Sequence, residues 1–453
     1  MTDVDTPLTL AVTGRVSELS DTQRSLLYER RPSDEADLQA ATRDMLRRVR
    51  TEGDAALRDF ARRFDGADLE ALEVPRERWG EALETLDPRV TEALSRAARN
   101  IETFHRAQIP ADVEIEVEPG VRLGRVFVPL EAVGVYAPGG RAAYPSSVLM
   151  GVVPARAAGV DEIVVCSPPG PNGLPSAVVQ AAAAIGGATR LFAIGGAGAV
   201  GAMAYGTTSV PRCAAVVGPG NRWVLEAKRQ VAGEVIIDSP AGPSEVLVLA
   251  DEGCASPQWL AAELVAQAEH DPDAAVTFVT TSPSLLEAVR RELEGQVARS
   301  PRADVIRTAL ATYGALLLAG DHDEMLSFAD AYAAEHLSLC TRNPEADRLR
   351  LRTPGTVFMG GASSVAFGDY MTGANHVLPT AGTARSFSGL STLDFLRSYT
   401  WQSLTPEAAA AMSEPVAVLA EAEGLPGHAV AARFRAAQGS AAPDTDLPSG
   451  GPS

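Results

Sequence analysis

Side chains able to bind a metal ion are concentrated in the second half of the chain. The stretch "AAELVAQAEHDPD" places Gln267 and His270 three positions apart near the end of a predicted helix. Residues at this spacing project from one helix face, so both side chains could contact the same ion. A histidine at a helix C-terminus also has a simpler explanation, because a positive imidazole suits the helix dipole.

A Glu–His pair offers acid–base chemistry. In "AYAAEHLSLC", Glu335 and His336 are adjacent at a predicted helix-to-strand transition. If both face a cleft, the carboxylate could activate water and the imidazole could transfer a proton near neutral pH. An exposed dipeptide without function is the alternative.

Two further stretches combine histidine with carboxylates. "SSVAFGDYMTGANHVLPT" holds Asp369, Asn375 and His376 among glycines, which is typical of a binding loop, with a solvated turn as the alternative. "EAEGLPGHAVAA" sets Glu423 and His428 around a helix break, which an interhelical cap would also explain. A glutamine, an aspartate and two histidines would form a ligand set acceptable to zinc, although spacing alone does not show that they converge.

A glycine motif precedes these residues. "LFAIGGAGAVGAMAYGT" places Gly196, Gly198 and Gly201 directly after an apolar run, in the spacing of a dinucleotide-phosphate loop. The chain contains 40 glycines, and the acidic residue expected about twenty positions later is missing from "AAVVGPGNRW". The motif therefore favours a nucleotide-binding type of fold more than a phosphate contact of its own.

Composition disfavours several classes of protein. A net charge of -19 and a pI near 4.8 argue against nucleic-acid or anionic-membrane partners, whose phosphates would be repelled. Cys166, Cys213, Cys254 and Cys340 form no CxxC pair, which disfavours a disulfide framework and a thiolate zinc site. The N-terminus lacks the pattern of a signal peptide, and no apolar run has the length of a membrane span. These features predict a cytoplasmic protein with small-molecule partners.

The elements that must position these residues follow from periodicity. The first hundred residues are predicted to be mostly helical. From about residue 133, short apolar runs alternate with Ala-rich helical segments, and a second series of the same kind begins at "SEVLVLAD". This alternation predicts two α/β domains with parallel sheets. After Phe395 the strand signal stops, and two helices broken near Gly424 are predicted.

Six of these segments resemble the histidinol dehydrogenase family. They occur in the family's order as "VGVYAPGGRAAYPSSVLM", "GPGNRWVLEAKRQVAGEVIIDSPAGPSEVLVLAD", "AQAEHDPD", "EHLSL", "GDYMTGANHVLPTAGTARSFSGLSTLDF" and "EGLPGHAVA". Several are long and unusual, and together they span most of the chain. The chain is therefore identified by resemblance as a member of this family.

The resemblance implies a four-electron oxidation of L-histidinol to L-histidine by two NAD+, through a bound histidinaldehyde, in the last two steps of histidine biosynthesis. His336 would take the hydroxyl proton in the first oxidation, and Glu335 would be the general base that adds water to the aldehyde. Ser244, His336 and Glu423 would contact the substrate. One Zn²⁺ per subunit would be held by four residues, which would also lie against the substrate: Gln267, His270, Asp369 and His428.

The resemblance also implies how NAD binds. The residues that match the family's cofactor contacts are Tyr136, Gly198 and Asn221. Gly198 stands where the family has a glutamine, so one amide able to hydrogen-bond the cofactor is missing. His376 lies in a family motif and is expected to line the site.

The fold implied by the resemblance is aldehyde-dehydrogenase-like, with two Rossmann-like α/β domains, a helical N-terminal segment and a helical C-terminal dimerisation arm. In the implied intertwined homodimer, the arm of one subunit completes the partner's site. The expected parts are an N-terminal segment at 1–30, a discontinuous domain with the zinc and catalytic residues at 31–132 and 244–390, an NAD-side domain at 133–243, the arm at 391–437 and a disordered tail at 438–453.

Two alternatives stay open at this point. A zinc- and NAD-dependent dehydrogenase of the same fold could oxidise a different polar alcohol. A zinc hydrolase would use Glu335 to activate a metal-bound water, and its α/β domains would bind no nucleotide.

Overall fold

The computed structural model describes residues 8–30, 36–139, 143–239 and 242–438. The expected tail therefore lies outside the described residues, apart from its first position. The strands are β1 (Val12–Arg15), β2 (Val113–Glu118), β3 (Val121–Pro129), β4 (Ala132–Tyr136), β5 (Glu162–Ser167), β6 (Arg190–Ala193), β7 (Ala215–Val217), β8 (Ile236–Ile237), β9 (Glu245–Ala250), β10 (Ala275–Thr280), β11 (Gly314–Leu318), β12 (His336–Cys340), β13 (Thr356–Met359) and β14 (Leu396–Leu404).

Helices make up most of the remaining chain. They are α1 (Asp21–Tyr28), α2 (Ala36–Glu52), α3 (Asp54–Phe60), α4 (Arg76–Thr85), α5 (Pro88–Arg106), α6 (Pro145–Ala158), α7 (Ala177–Gly186), α8 (Gly196–Tyr205), α9 (Arg222–Val231), α10 (Pro257–Ala268), α11 (Pro283–Arg299), α12 (Ala303–Tyr313), α13 (His322–Tyr332), α14 (Pro344–Arg348), α15 (Val365–Tyr370), α16 (Pro406–Ala422) and α17 (Pro426–Gln438).

Two compact units divide these elements. The first comprises the described parts of 1–109 and 129–395, and the second those of 110–128 and 396–453. The first unit contains a six-stranded sheet in the order β1-β11-β10-β9-β12-β13 and a five-stranded sheet in the order β6-β5-β4-β7-β8. All strand pairs in both sheets are parallel. The α/β fold class with parallel sheets is thus confirmed.

Apolar helices cover both faces of the six-stranded sheet. One core contains side chains of α10, α11 and α12, and the other contains side chains of α1 and α13. All six residues of β9 are buried, as expected for a central parallel strand. The short edge strand β1 was not predicted from the sequence, because four residues give too little periodicity.

The five-stranded sheet shares one core with helices from the first part of the chain. Val49, Leu57, Trp79 and Ile101, on α2 to α5, are buried in the same cluster as the strands β4 to β7. The expected boundaries grouped 31–132 with 244–390, but these helices pack on the five-stranded sheet. Sequence order could not show this, because the packing joins helices to strands that follow much later.

The second unit contains a three-stranded sheet and a helical hairpin. The sheet has the order β14-β3-β2, and α16 and α17 follow it. The expected end of strand structure at Phe395 is wrong, because β14 begins at the next residue and extends over nine residues. Most residues of β14 are exposed, so its sequence lacks the alternation that marks a half-buried strand.

No helix within the described ranges has both the length and the apolar character needed to cross a membrane.

Candidate active site

Glu335 and His336 lie at the amino end of β12, directly after α13. The connection is short, and Ala333 in it adopts a left-handed backbone conformation with φ of 52°. Only 3% of Glu335 and 4% of His336 is exposed. The alternative of an exposed dipeptide is therefore wrong, and the two groups form a buried acid–base pair.

The acid–base pair is held by the backbone of the neighbouring strand β9. His336 Nδ1 lies 3.0 Å from the carbonyl oxygen of Glu245 and 3.4 Å from Oε2 of Glu335. A proton on Nδ1 donated to this carbonyl leaves Nε2 as the free nitrogen, and Nε2 lies 3.7 Å from Oδ1 of Asp369. The imidazole is therefore oriented with its reactive nitrogen toward the Asp369 side.

Burial and mutual attraction shift the acidity of both groups. Burial raises the pKa of Glu335, and the neighbouring His336 opposes this effect. Burial lowers the pKa of His336, but the carboxylate of Glu335 outweighs it and the pKa rises to about 9. Without a bound metal ion, His336 is therefore mostly protonated below about pH 9, and its Nε2 becomes a proton acceptor as the pH rises toward this value.

A small cavity of about 230 Å³ brings together three of the expected zinc ligands, Gln267, His270 and Asp369. Gln267 is buried, and its Nε2 has no hydrogen-bond partner. A buried amide N–H without a partner costs free energy, which a hydrogen-bond acceptor bound in the cavity would offset. The amide oxygen, the imidazole nitrogen and the carboxylate match the oxygen and nitrogen ligands that zinc accepts. The residues present therefore fit a metal ion.

In the part of the chain that the structure describes, no group of three or more histidine, cysteine, aspartate or glutamate side chains could hold a metal ion by itself. The expected ligands in the cavity are two such groups, His270 and Asp369, and one amide, so a further ligand would have to complete a tetrahedral site.

Helix contacts position this cavity. Ser256 caps α10, and Gln267 lies in its last turn, with His270 just beyond the helix. Oε2 of Glu263, also on α10, accepts the backbone N–H of Val365 at 3.0 Å. Because Val365 is the first residue of α15, this bond ties the helix of Asp369 to α10.

The remaining site residues of the first unit lie around the same region. Ser244 immediately precedes Glu245 and β9. His376 Nε2 is buried without a partner, and the side chains of Asp369, His336 and His270 influence its pKa, which burial lowers. The preceding Asn375 donates a hydrogen bond to the carbonyl of Met150 at 2.8 Å. This bond anchors the loop to α6, unlike the solvated turn that was the alternative.

Glu423 and His428 belong to the second unit. Glu423 follows the last residue of α16, and His428 lies in the first turn of α17. Both side chains are exposed. Within the described residues, neither side chain forms a hydrogen bond that would cap the turn between the two helices. Both are therefore available to a ligand or partner.

A larger cavity of about 1010 Å³ lies at the carboxyl edge of the five-stranded sheet. In this sheet β5 and β6 lie on one side of β4, and β7 and β8 lie on its other side. The strand order therefore reverses at β4, which makes the carboxyl edge beside β4 a topological switch point. Its lining includes Tyr136 at the end of β4, Ser167 at the end of β5 and Asn221 after β7. A cavity in this position is typical of nucleotide sites.

Tyr136 and Asn221 are fixed by local hydrogen bonds. The Tyr136 hydroxyl accepts the N–H of Gly196 at 3.2 Å, and burial raises its pKa to about 12. Oδ1 of Asn221 accepts the N–H groups of Trp223 and Val224 and so caps α9. The amide nitrogen of Asn221 is not used in this cap and could donate to a cofactor.

A buried ion pair holds the loop before Asn221. Lys228 pairs with Asp238, and each side chain is 2% exposed. Lys228 donates to the carbonyl of Gly218 at 3.0 Å, and Asp238 accepts the N–H of Gly218 at 2.8 Å. Both backbone groups of one residue are thereby fixed beside the cavity.

The glycine motif serves helix packing. Gly196, the first residue of α8, has a φ of +60° and lines the large cavity at the turn that follows β6. A Cβ on Gly198 would lie 3.0 Å from Phe60, and one on Gly201 would lie 3.0 Å from Leu46. These two glycines allow α8 to pack closely on α3 and α2. Gly198 is not among the residues that line the cavity.

Sequence reasoning missed two features of these sites. Asp65, at the end of the π-helix Ala61–Asp65, lines the large cavity, and burial raises its pKa to about 6. Glu245 and Arg30 form a buried ion pair behind the acid–base pair. The only sequence signal for either was a charged residue next to an apolar run, which is too common to be informative.

Fold and site together define the class of protein. Dinucleotides bind at the switch point of a parallel sheet, and a buried acid–base pair moves the protons that accompany hydride transfer. This combination is typical of a nicotinamide-dependent dehydrogenase.

Comparison with known proteins identifies the family. The profile of the histidinol dehydrogenase family matches residues 28–436. The histidinol dehydrogenase of Methanothermobacter thermautotrophicus is 47% identical over 421 residues, which cover 93% of this chain and 99% of the relative. That of Natronomonas pharaonis is 48% identical over 415 residues, covering 91% and 97%.

A solved structure agrees. The crystal structure of histidinol dehydrogenase from Elizabethkingia anophelis superposes with a TM-score of 0.89 at 33% identity, covering 95% of this chain and 98% of that one. The chain therefore belongs to the histidinol dehydrogenase family. It is an NAD-dependent oxidoreductase, which contradicts the hydrolase alternative.

The packing role of the glycine motif can be tested by substitution. Gly201→Leu should destabilise the protein by about 1–3 kcal/mol, because the added side chain meets Leu46 and Val49. Gly80→Leu is the matched control, since Gly80 is an exposed helix residue with no neighbour within 4 Å of its Cβ position, and it should not destabilise. Urea unfolding measures both. Equal stabilities of the two variants would contradict the packing role.

Proposed function

We propose that this protein oxidises L-histidinol to L-histidine with two NAD+, in the last two steps of histidine biosynthesis. The observation that carries the proposal is the buried Glu335–His336 pair beside the cavity of Gln267, His270 and Asp369, in a chain of this family. One site then performs both oxidations, and the aldehyde stays bound between them.

Gln267, His270 and Asp369 would hold one zinc ion, with His428 of the partner subunit as the fourth ligand. Zinc bound to these residues would supply coordination to the substrate nitrogens, which would orient the alcohol carbon for hydride transfer. Ser244 and Glu423 would contact the same substrate.

His336 acts in the first oxidation. Its Nε2 accepts the proton of the substrate hydroxyl while hydride passes from the adjacent carbon to NAD+. The alcohol thereby becomes an aldehyde, and one NADH and one proton are formed. The contact of Nδ1 with the Glu245 carbonyl keeps the ring in the orientation that this transfer requires.

Glu335 acts in the second oxidation. Its carboxylate removes a proton from water as the water oxygen bonds to the aldehyde carbon, and the aldehyde oxygen takes up the proton that His336 accepted in the first step, which gives the hydrate. Hydride then passes from this carbon to a second NAD+ as the hydroxyl protons are lost to His336 and to solvent, and the carboxylate product forms. The buried position of Glu335 raises its pKa and makes it a stronger base for this step.

The large cavity of the five-stranded sheet would hold NAD. Tyr136 and Asn221 line it and would contact the cofactor. Gly198 lies behind the lining and would make no contact of its own. Asp65 supplies the carboxylate that the sequence pattern lacked, in a position to accept hydrogen bonds from ribose hydroxyls.

The second unit would form the dimerisation arm. Exposed apolar side chains on α16 and α17, including Leu419, Val430 and Phe434, offer a surface for a second copy of the chain. In the dimer, Glu423 and His428 would complete the partner's site.

Product stoichiometry tests the reaction. Each L-histidinol consumed should yield two NADH, and a chelator should stop turnover until Zn²⁺ is restored. Absorbance of NADH and chromatography of histidinol and histidine measure both quantities. One NADH per substrate would contradict the four-electron reaction, and full activity after verified metal removal would contradict zinc dependence. Faster oxidation of another polar alcohol would favour the alternative substrate class.

The two catalytic roles can be separated by step. Glu335→Gln should slow the conversion of aldehyde to acid by about 10²–10⁴-fold and leave the first NADH nearly unaffected, while His336→Asn should mainly slow the alcohol step. Single-turnover measurements with histidinol and with histidinaldehyde distinguish the steps. His322→Asn, which removes a histidine paired with Asp347, is the control and should change neither. Loss of the same step in both catalytic variants would contradict the assignment.

Shared sites predict complementation. A mixture of Gln267→Ala and His428→Ala proteins should regain about a quarter of the parental activity after subunit exchange, because half of the dimers are mixed and each mixed dimer has one intact site. Mixing Gln267→Ala with His270→Ala should regain none, since both ligands come from one chain. No recovery in the first mixture, despite demonstrated exchange, would contradict a site shared between subunits.

A further inference from the structure

Arg30 and Glu245 form a buried ion pair directly behind the acid–base pair. Arg30 Nε donates to Oε2 of Glu245 at 2.7 Å, and Nη2 donates to Oε1 at 2.9 Å. The side chains are only 4% and 1% exposed. A pair of this kind gives little net stability compared with apolar packing. Stability alone therefore gives no reason for its position.

Glu245 and Glu335 exchange backbone hydrogen bonds. Oε1 of Glu245 accepts the N–H of Glu335 at 3.1 Å, and Oε2 of Glu335 accepts the N–H of Glu245 at 2.7 Å. Each carboxylate thus fixes the backbone of the other residue. Two neighbouring buried carboxylates repel each other unless a cation compensates one of them, and Arg30 is that cation for Glu245.

Arg30 also holds the chain that leads into Glu335. Its Nη2 donates to the carbonyl oxygen of Tyr332 at 3.0 Å, and its guanidinium lies 3.6 Å from the centre of the Tyr332 ring. Tyr332 is the last residue of α13, and only Ala333 and Ala334 separate it from Glu335. Both ends of this connection are therefore fixed by contacts that involve Arg30.

His336 is held differently. Its Nδ1 contacts the backbone carbonyl of Glu245 and not the Glu245 side chain. The pairing of β9 with β12, in which His336 lies opposite Val246, positions that carbonyl. Removal of the Arg30 side chain thus acts directly on the anchor of Glu335, while the strand pairing still positions the carbonyl that holds His336.

We propose that Arg30 and Glu245 are positioning residues for Glu335, which hold its carboxylate in place for the addition of water to the aldehyde. This inference rests on the proposed function, in which Glu335 is the base of the second oxidation. It predicts that loss of the ion pair slows the aldehyde step selectively.

The test compares Arg30→Gln with the parent holoenzyme in both steps. With histidinaldehyde supplied directly, kcat should fall by about 10- to 100-fold, because a base displaced by about 1 Å loses this much rate. The first NADH from histidinol should change by less than about threefold, and the KM for histidinol by less than about twofold. Arg30→Lys keeps the charge but loses the bidentate hydrogen bonding to Glu245. Its rate in the aldehyde step should therefore lie between those of the parent and Arg30→Gln.

The double variant Arg30→Gln, Glu245→Gln separates positioning from folding. It leaves no uncompensated buried charge, so it should fold even if Arg30→Gln does not. Its aldehyde step should remain slow, because residue 245 has lost its anchor. Return of the double variant to the parental aldehyde rate would overturn the proposal, as would an equal decrease in both steps.

Arg190→Gln is the matched control. Arg190 makes the same contacts elsewhere, two hydrogen bonds to Glu73 and one to the carbonyl of Ser209. Both oxidation steps should be unchanged in this variant. Glu335→Gln is measured alongside. If the parent forms no NADH from histidinol, the proposed function fails. If the parent is active and Glu335→Gln loses the aldehyde step while Arg30→Gln does not, only the positioning role fails.

Discussion

The parallel pairing of β9 with β12 determines the geometry of the catalytic groups. In this register His336 lies opposite Val246, so the preceding residues Glu335 and Glu245 meet at the amino ends of the two strands. Both strands are buried along their whole length, and a shift of one residue would turn every side chain to the opposite face. The hydrophobic core therefore fixes the register, and the register fixes which backbone groups meet the acid–base pair.

One sheet carries its site at the carboxyl edge of its strands, and the other carries its site at the amino edge. The large cavity lies at the carboxyl edge of the five-stranded sheet, where strand order reverses and where ligands of open α/β sheets usually bind. Glu335 and His336 lie instead at the amino edge of the six-stranded sheet. Backbone groups of the neighbouring strand and buried side chains fix the catalytic pair at this edge.

Local features of the structure could be predicted from the sequence. The alternation of apolar runs and helical segments gave the two parallel sheets, and the spacing of Gln267 and His270 gave their common face. Edge strand β1 and exposed strand β14 were missed, because one is short and the other lacks alternation. Asp65 and the ion pair of Arg30 with Glu245 join positions far apart in sequence. Spacing carries no information about contacts that only the packing of the whole unit creates.

Adjacent residues with different chemical tasks need separate anchors. Glu335 and His336 are neighbours in the chain, and any movement of the backbone would displace both. The structure attaches the imidazole to a backbone carbonyl that the sheet positions, while the carboxylate depends on a backbone N–H, on Glu245 and on the guanidinium of Arg30. Because the two side chains use different atoms of Glu245 and only the carboxylate depends on the Arg30 ion pair, a change behind the carboxylate acts first on the oxidation that Glu335 serves. Two steps of one reaction can therefore be adjusted separately within a single site.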